Sequence, residues 1–185
     1  MIYEEYLELR SKAFKLLWET SKKMTRWSSP VPDHQPYWTH PLHVYLDMIK
    51  AGIDHYPALL AAILHDIVED TAITLDDVER EFGLEVREIV DLVSKSAEFN
   101  DSNAEEFYSR IMESKNKWAM YIKVFDRIDN LLTYAAFDKN LQQTKIFIDE
   151  AKKFFILFAK EIGLEKKLQN AIEYTEAYYL HSIQT

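Results

Sequence analysis

The stretch Leu64-His65-Asp66-Ile67-Val68-Glu69-Asp70-Thr71 concentrates four ionisable side chains in a short span. Imidazole and carboxylate are ligand types that suit zinc, manganese or iron(II). His65 and Glu69 stand four residues apart, as do Asp66 and Asp70, and residues four apart share one face of a helix. The run just before them, Ala58-Leu59-Leu60-Ala61-Ala62-Ile63-Leu64, is a strong helix former with no polar side chain. The expectation is an apolar, buried helix that ends in four ionisable groups. Burying charge without a partner is costly. A divalent cation offsets that cost and brings a chemistry with it.

Two further positions complete a candidate cation site. His40 precedes Pro41 at the start of a helix. Asp126 lies in Lys123-Val124-Phe125-Asp126-Arg127-Ile128-Asp129-Asn130 and shares a helical face with Ile122 and Asn130. A carboxylate on a partly apolar stripe is unusual unless it is paired or ligating. The candidate metal ligands are therefore His40, His65, Asp66 and Asp126, carried on three helices. Each has a plainer reading when taken alone. His40 suits a helix cap or a surface residue, His65-Asp66 a helix-end ion pair, and Asp126 a salt-bridge partner of Arg127 or Lys123. Glu69 and Asp70 beside them strengthen the joint case. His34, His43, His55 and His181 lack such company and read as structural or solvated. The clusters Asp76-Asp77-Glu79 and Glu105-Glu106 read as solvated helix faces.

The elements that must position these residues are helices nearly throughout, by hydrophobic spacing. Tyr6, Leu7, Phe14, Leu17 and Trp18 recur at helical intervals between Tyr3 and about Glu19. Thr25 to Thr39 holds Ser28, Ser29, Pro30, Pro32 and Pro36 and reads as a loop. Pro41 suits the first turn of a helix that runs to about Ala51 and stops at Gly52. Pro57 opens the helix that carries His65 and Asp66. Thr74-Leu75-Asp76-Asp77 has the form of a capping box, and Gly83 fits the stop of that short helix. Helices are expected over Leu84 to Ser94, Ala104 to about Met112 and Lys117 to about Phe137, the last with Trp118, Ile122, Phe125 and Ile128 inward; Asn100 to Asn103 reads as a loop. Leu141 to about Ile162 reads as one helix stopped by Gly163, and Leu164 to about Leu180 as the last. Tyr174, Tyr178 and Tyr179 on that last helix suit the core or a partner surface, and the core is the reading taken.

The bulk numbers agree with an all-α single domain. The chain has 185 residues, 48% hydrophobic and 29% charged, with three glycines and five prolines. So few turn formers argue against a β-rich fold or a disordered linker. The absence of cysteine excludes a disulfide scaffold and thiolate metal sites. The net charge of −9 is opposite to the basic excess of a general nucleic-acid binder. No apolar run approaches the ~20 residues of a membrane span. Met1-Ile2-Tyr3-Glu4-Glu5 lacks the pattern of a signal peptide. A soluble, cytoplasmic protein with a small-molecule partner is the expectation, and an acidic chain draws an anionic substrate through a local basic pocket or a metal.

In that order, His40, His65-Asp66 and Asp126 resemble the H…HD…D pattern of HD-superfamily metal-dependent phosphohydrolases. The resemblance is closer to the hydrolase domain of the RelA/SpoT alarmone enzymes. Pro36-Tyr37-Trp38-Thr39-His40-Pro41 is similar to that family's P-Y-x-x-H-P. Ala61 to Thr71, followed by Thr74 and Phe82-Gly83, is similar to its L-L-H-D-x-x-E-D-T…T…F-G. Lys123 to Asn130 is similar to its K-L-A-D-R-L-H-N. The similarity spans about residues 36 to 133, and the chain's size resembles the small stand-alone alarmone hydrolases.

The resemblance implies an HD-type helical bundle over residues 1–185, one manganese ion, and removal of pyrophosphate from the 3′ position of (p)ppGpp to give GDP or GTP. It implies that His40, His65, Asp66 and Asp126 hold the metal and that Glu69 and Asp70 position and deprotonate the attacking water. Asn130 would contact the nucleotide, with Lys123 and Arg127 of the same motif as further substrate-binding candidates. Three differences concern the substrate. The family's basic R-K-S-G-E stretch is replaced by Val31-Pro32-Asp33-His34-Gln35, with Arg26 and Lys22-Lys23 upstream. Asp129 stands where the family has histidine, and Leu131-Leu132-Thr133 lacks the arginine that often precedes the threonine. Two alternatives stay open: a phosphohydrolase of another nucleotide, such as a deoxynucleotide or a phosphorylated dinucleotide cofactor, and a sensor that binds metal and nucleotide. The presence of Glu69 and Asp70 argues against the sensor.

Overall fold

The computed structural model describes residues 1–24, 36–95, 103–137 and 141–183. The chain gathers into two compact units, Met1–Ile122 and Lys123–Thr185. Helices α1 (Tyr3–Ser21), α2 (Thr39–Lys50), α3 (Tyr56–Leu64), α4 (Ile67–Asp70), α5 (Leu75–Phe82), α6 (Leu84–Val93) and α7 (Ala104–Ser114) belong to the first. Helix α8 (Lys117–Phe137) contains the division. Helices α9 (Leu141–Glu150), α10 (Ile156–Glu161) and α11 (Glu165–Ser182) belong to the second. Among the described residues no strand forms and no helix is long and apolar enough to cross a membrane. Of the loops expected over Thr25–Thr39 and Asn100–Asn103, residues 25–35 and 100–102, with the Val31–Gln35 replacement, lie outside the described residues.

Helix α3 is the centre of the first unit. Every residue from Pro57 to Leu64 is buried, and the helix packs against α1, α2 and α6. Burying a leucine or isoleucine side chain contributes about 1.5–3 kcal/mol, so α3 holds its neighbours through Leu59, Leu60, Ile63 and Leu64. Its start is set by Pro57 in the first turn and by His55, whose Nδ1 accepts from the Ala58 N–H at 3.3 Å. The His55 ring also stacks on Trp118 at 4.5 Å and reaches Glu85 at 3.0 Å, a structural role.

The helix that was expected to run on through His65 and Asp66 is interrupted there. Leu64 ends α3, His65 caps it, and Asp66 (φ −103°, ψ 0°) caps the four-residue α4. The cause is tertiary. The His65 carbonyl accepts from the Ser94 hydroxyl at 3.1 Å, a contact from the end of α6 that a local propensity reading does not contain. Helix α5 begins with the expected capping box: Thr74 Oγ1 accepts from Asp77 N–H at 3.2 Å, and Asp77 Oδ2 accepts from Thr74 N–H at 3.0 Å. Gly83, at φ +91°, then joins α5 directly to α6 in a conformation that side chains disfavour.

In the second unit, the single helix expected over Leu141 to Ile162 is also divided. A π turn, Ala151–Phe155, separates α9 from α10. Arg127 stands over the rings of Phe147 and Phe155, each at 4.5 Å, and pairs with Glu150 at 2.6 Å, the residue at which the turn widens. That packing demand outweighs a composition that reads as continuous helix. Helix α11 packs on α9 and α10 through Leu168, Ala171, Ile172 and Thr175. The core position expected for its tyrosines is not found: Tyr174 is 59% exposed, and Tyr178 and Tyr179 are half-buried, because the inner stripe is already filled by those four residues.

Candidate metal centre

Three of the candidate ligands come together within the first unit. His40 sits in the first turn of α2, and His65 and Asp66 occupy the break between α3 and α4. The two Nε2 atoms lie 3.3 Å apart, and Asp66 Oδ2 is 3.1 Å from His65 Nε2 and 3.5 Å from His40 Nε2. The rings meet edge-on at 69°. His65 is fully buried and His40 nearly so. A continuous helix would carry Asp66 past His65 by about 100°; the break places its carboxylate beside that imidazole instead.

The donor chemistry fits a cation. His65 Nδ1 lies 2.9 Å from the Ala62 carbonyl. A carbonyl only accepts, so Nδ1 carries a proton, and Nε2 is the nitrogen that faces Asp66 and His40. Such an outer hydrogen bond is the usual way that a ligating imidazole is oriented. Two Nε2 atoms and a carboxylate oxygen within 3.5 Å of one another make a group that could hold a divalent metal.

The two carboxylates on α4 are held from outside it. Glu69 Oε1 accepts from the Lys95 backbone N–H at 2.6 Å, just beyond α6. Asp70 Oδ2 accepts from the Tyr37 phenol at 2.6 Å. Desolvation raises the Asp70 carboxyl above its ordinary value; Tyr37 opposes this and the charge of Asp66 adds to it. Burial also raises the Tyr37 phenol, and the negative charges of Asp66 and Asp70 add to the effect. Ser94, Lys95 and Tyr37 were not among the residues singled out from spacing. Ser94 and Lys95 carry no sequence signal, while Tyr37 stands inside the P-Y-x-x-H-P pattern.

The remaining candidates lie in the second unit, on α8. Asp126 is buried, with Lys123 Nζ at 2.7 Å from Oδ2 and Asn130 Nδ2 donating to Oδ1 at 2.5 Å. The spacings of three and four residues put these groups on one helical face. Lys123 is 7% exposed and Arg127 5% exposed, the latter between its two phenylalanine rings and Glu150.

Residues 18–164 match the protein family described as HD domain. Over 150 residues, 80% of this chain, the sequence is 29% identical to a protein of Aquifex aeolicus named guanosine-3′,5′-bis(diphosphate) 3′-pyrophosphohydrolase, of which 21% is covered. Over 105 residues, 54% of this chain, it is 39% identical to the Escherichia coli protein named bifunctional (p)ppGpp synthase/hydrolase SpoT, of which 15% is covered. The chain thus spans about a fifth or less of the length of these curated relatives. Among solved structures, a metazoan ortholog of SpoT described as hydrolysing ppGpp superimposes with a TM-score of 0.77, covering 90% of this chain and 94% of that one. At 23% identity this likeness shows the fold.

Proposed function

The chain belongs to the HD domain family, and from that premise we propose that it is a metal-dependent phosphohydrolase that removes the 3′-pyrophosphate from (p)ppGpp to give GDP or GTP. The observation that carries the proposal is the convergence of His40 Nε2, His65 Nε2 and Asp66 Oδ2 in a buried corner, with Glu69 and Asp70 one short helix away. Asp126 is proposed as the fourth ligand, supported by its place in the D-R-x-x-N pattern, and manganese as the metal. The names of the relatives support the substrate.

When bound, the cation acidifies water and offsets charge on phosphoryl oxygens. His65 is oriented for ligation by Ala62, and Asp66 brings a negative charge that favours the cation over water. Glu69 and Asp70 orient the attacking water and take its proton, a contribution typically of ~10²–10⁴-fold. The raised Asp70 carboxyl suits that role, because a stronger base accepts the proton more readily. The new bond forms between the water oxygen and the phosphorus on the 3′ oxygen, the 3′ P–O bond breaks, and the 3′ oxygen recovers a proton. Asn130, with Lys123 and Arg127, is proposed to serve the nucleotide side.

The test is product analysis after incubating the manganese-loaded chain with ppGpp. GDP and pyrophosphate are the expected products. No turnover by protein with confirmed bound manganese would reject this substrate. A second reading, hydrolysis of another nucleotide, is favoured by one observation: Val31-Pro32-Asp33-His34-Gln35 has no arginine or lysine where the resembled family is basic.

A further inference from the structure

Tyr37 has no part in the chemistry assigned above, yet both sides of the centre are tied to it. Its carbonyl accepts from the His40 N–H at 3.2 Å, and its own N–H donates to the Met24 carbonyl at 3.2 Å, just past the end of α1. Its phenol, 33 residues away in sequence, donates to Asp70 Oδ2 at 2.6 Å. The residue is 8% exposed, so the ring is gripped by its surroundings. One residue therefore spans from a metal-type ligand on α2 to a carboxylate on α4.

We infer that Tyr37 is a positioning residue that pins one oxygen of Asp70 and so aims the other at the reacting water. This rests on the phosphohydrolase reading, in which Asp70 accepts the proton. A carboxylate at the end of a four-residue helix turns freely about its side-chain bonds unless an outside group holds it. Among the described residues, Tyr37 holds Oδ2 and Oδ1 has no hydrogen-bond partner. The phenol O–H donates to one oxygen and leaves the lone pairs of the other open to the reacting water. Glu69 is steadied in the same manner by the Lys95 N–H, a backbone group that substitution leaves in place. Tyr37 is the anchor that a side-chain change can remove.

The experiment is a double-mutant cycle on the full, manganese-loaded chain: Tyr37→Phe, Asp70→Asn and the two together. Phenylalanine keeps the ring and both backbone bonds, and melting by circular dichroism checks the fold. Turnover of ppGpp is read with kcat and KM separated, and manganese affinity is read independently by electron paramagnetic resonance. Y37F is expected to lower kcat about tenfold or more, since misplacing a reacting group by a fraction of an ångström is that costly. KM and manganese affinity should stay within about twofold. On the D70N background, adding Y37F should change kcat by less than about twofold, because coupled residues are not additive. Unchanged kcat in Y37F, an equal loss on the D70N background, or a matching loss of manganese affinity overturns the inference. If D70N itself turns over normally, the assignment of Asp70 is removed and the inference falls with it.

Discussion

Replacing Ser94 by alanine removes one hydroxyl from the end of α6. That hydroxyl donates to the His65 carbonyl at 3.1 Å, and Ser94 is 6% exposed. Water has little access to replace it, so the change leaves a buried carbonyl short of a donor. Such a loss costs about 1–3 kcal/mol. In a chain of 185 residues, each kcal/mol moves the midpoint by about 2–4 °C, so the melting temperature should fall by roughly 2–12 °C. The same bond holds open the break that sets Asp66 against His65. Manganese affinity should therefore fall together with stability. The assay is a calorimetric melt with and without manganese, alongside direct metal titration. Ser11→Ala is the control, because the Ser11 hydroxyl bonds the Leu7 carbonyl within an exposed turn of α1, and such surface changes stay within about 0.5 kcal/mol. S94A that melts with the unaltered protein and binds manganese equally would refute the reasoning, and the break would have to be held by the backbone around His65 alone.

Asp66→Ala should lose bound metal and turnover together, and wild-type metal content by mass spectrometry would sink that assignment. Glu69→Gln should keep the metal while kcat falls by ~10²-fold or more, since the glutamine carbonyl can still accept from the Lys95 N–H; equal loss of metal would make Glu69 a ligand. Asp77 predicts an acid-limb effect. Its hydrogen bonds from Thr74, side chain first, and then from Arg80 hold its carboxyl at about 2, below the ordinary 3.8. A depressed carboxyl contributes stability that is complete above about 4 and is lost as pH falls toward 2. Asp77→Asn should therefore flatten the melting temperature against pH across that window and leave it unchanged in shape near neutrality. An identical acid limb in the two proteins would remove Asp77 from the account.

The helices were largely legible because each carries its own signal. Pro57 and Gly83 mark ends, Thr74 and Asp77 form a box, and the burial of Ile122, Phe125 and Ile128 follows the period of α8. His40, His65 and Asp66, named as candidates from residue type, lie together, and the pairing of Lys123 with Asp126 is the plainer reading weighed for that carboxylate. What spacing does not reveal is set by partners far along the chain. Ser94 ends α3 from 29 residues away, Lys95 holds Glu69 from 26, and Tyr37 holds Asp70 from 33. The tyrosines of α11 were misplaced for a related reason. Periodicity shows which residues share a face, and the small Ala171 and Thr175 fill the inner one.

A π turn contains one residue more than the α turn it replaces, so Ala151–Phe155 stores a spare residue in the middle of an otherwise regular stretch. Deleting one residue there would close the turn to α geometry and leave the helices on either side in phase. Deleting one inside α9 would swing everything beyond it by about 100° and carry the buried Phe158 and Ala159 off their inner face. The second unit can therefore lose one residue at this point and keep its helices in phase, and single-residue deletions that the fold survives should gather there.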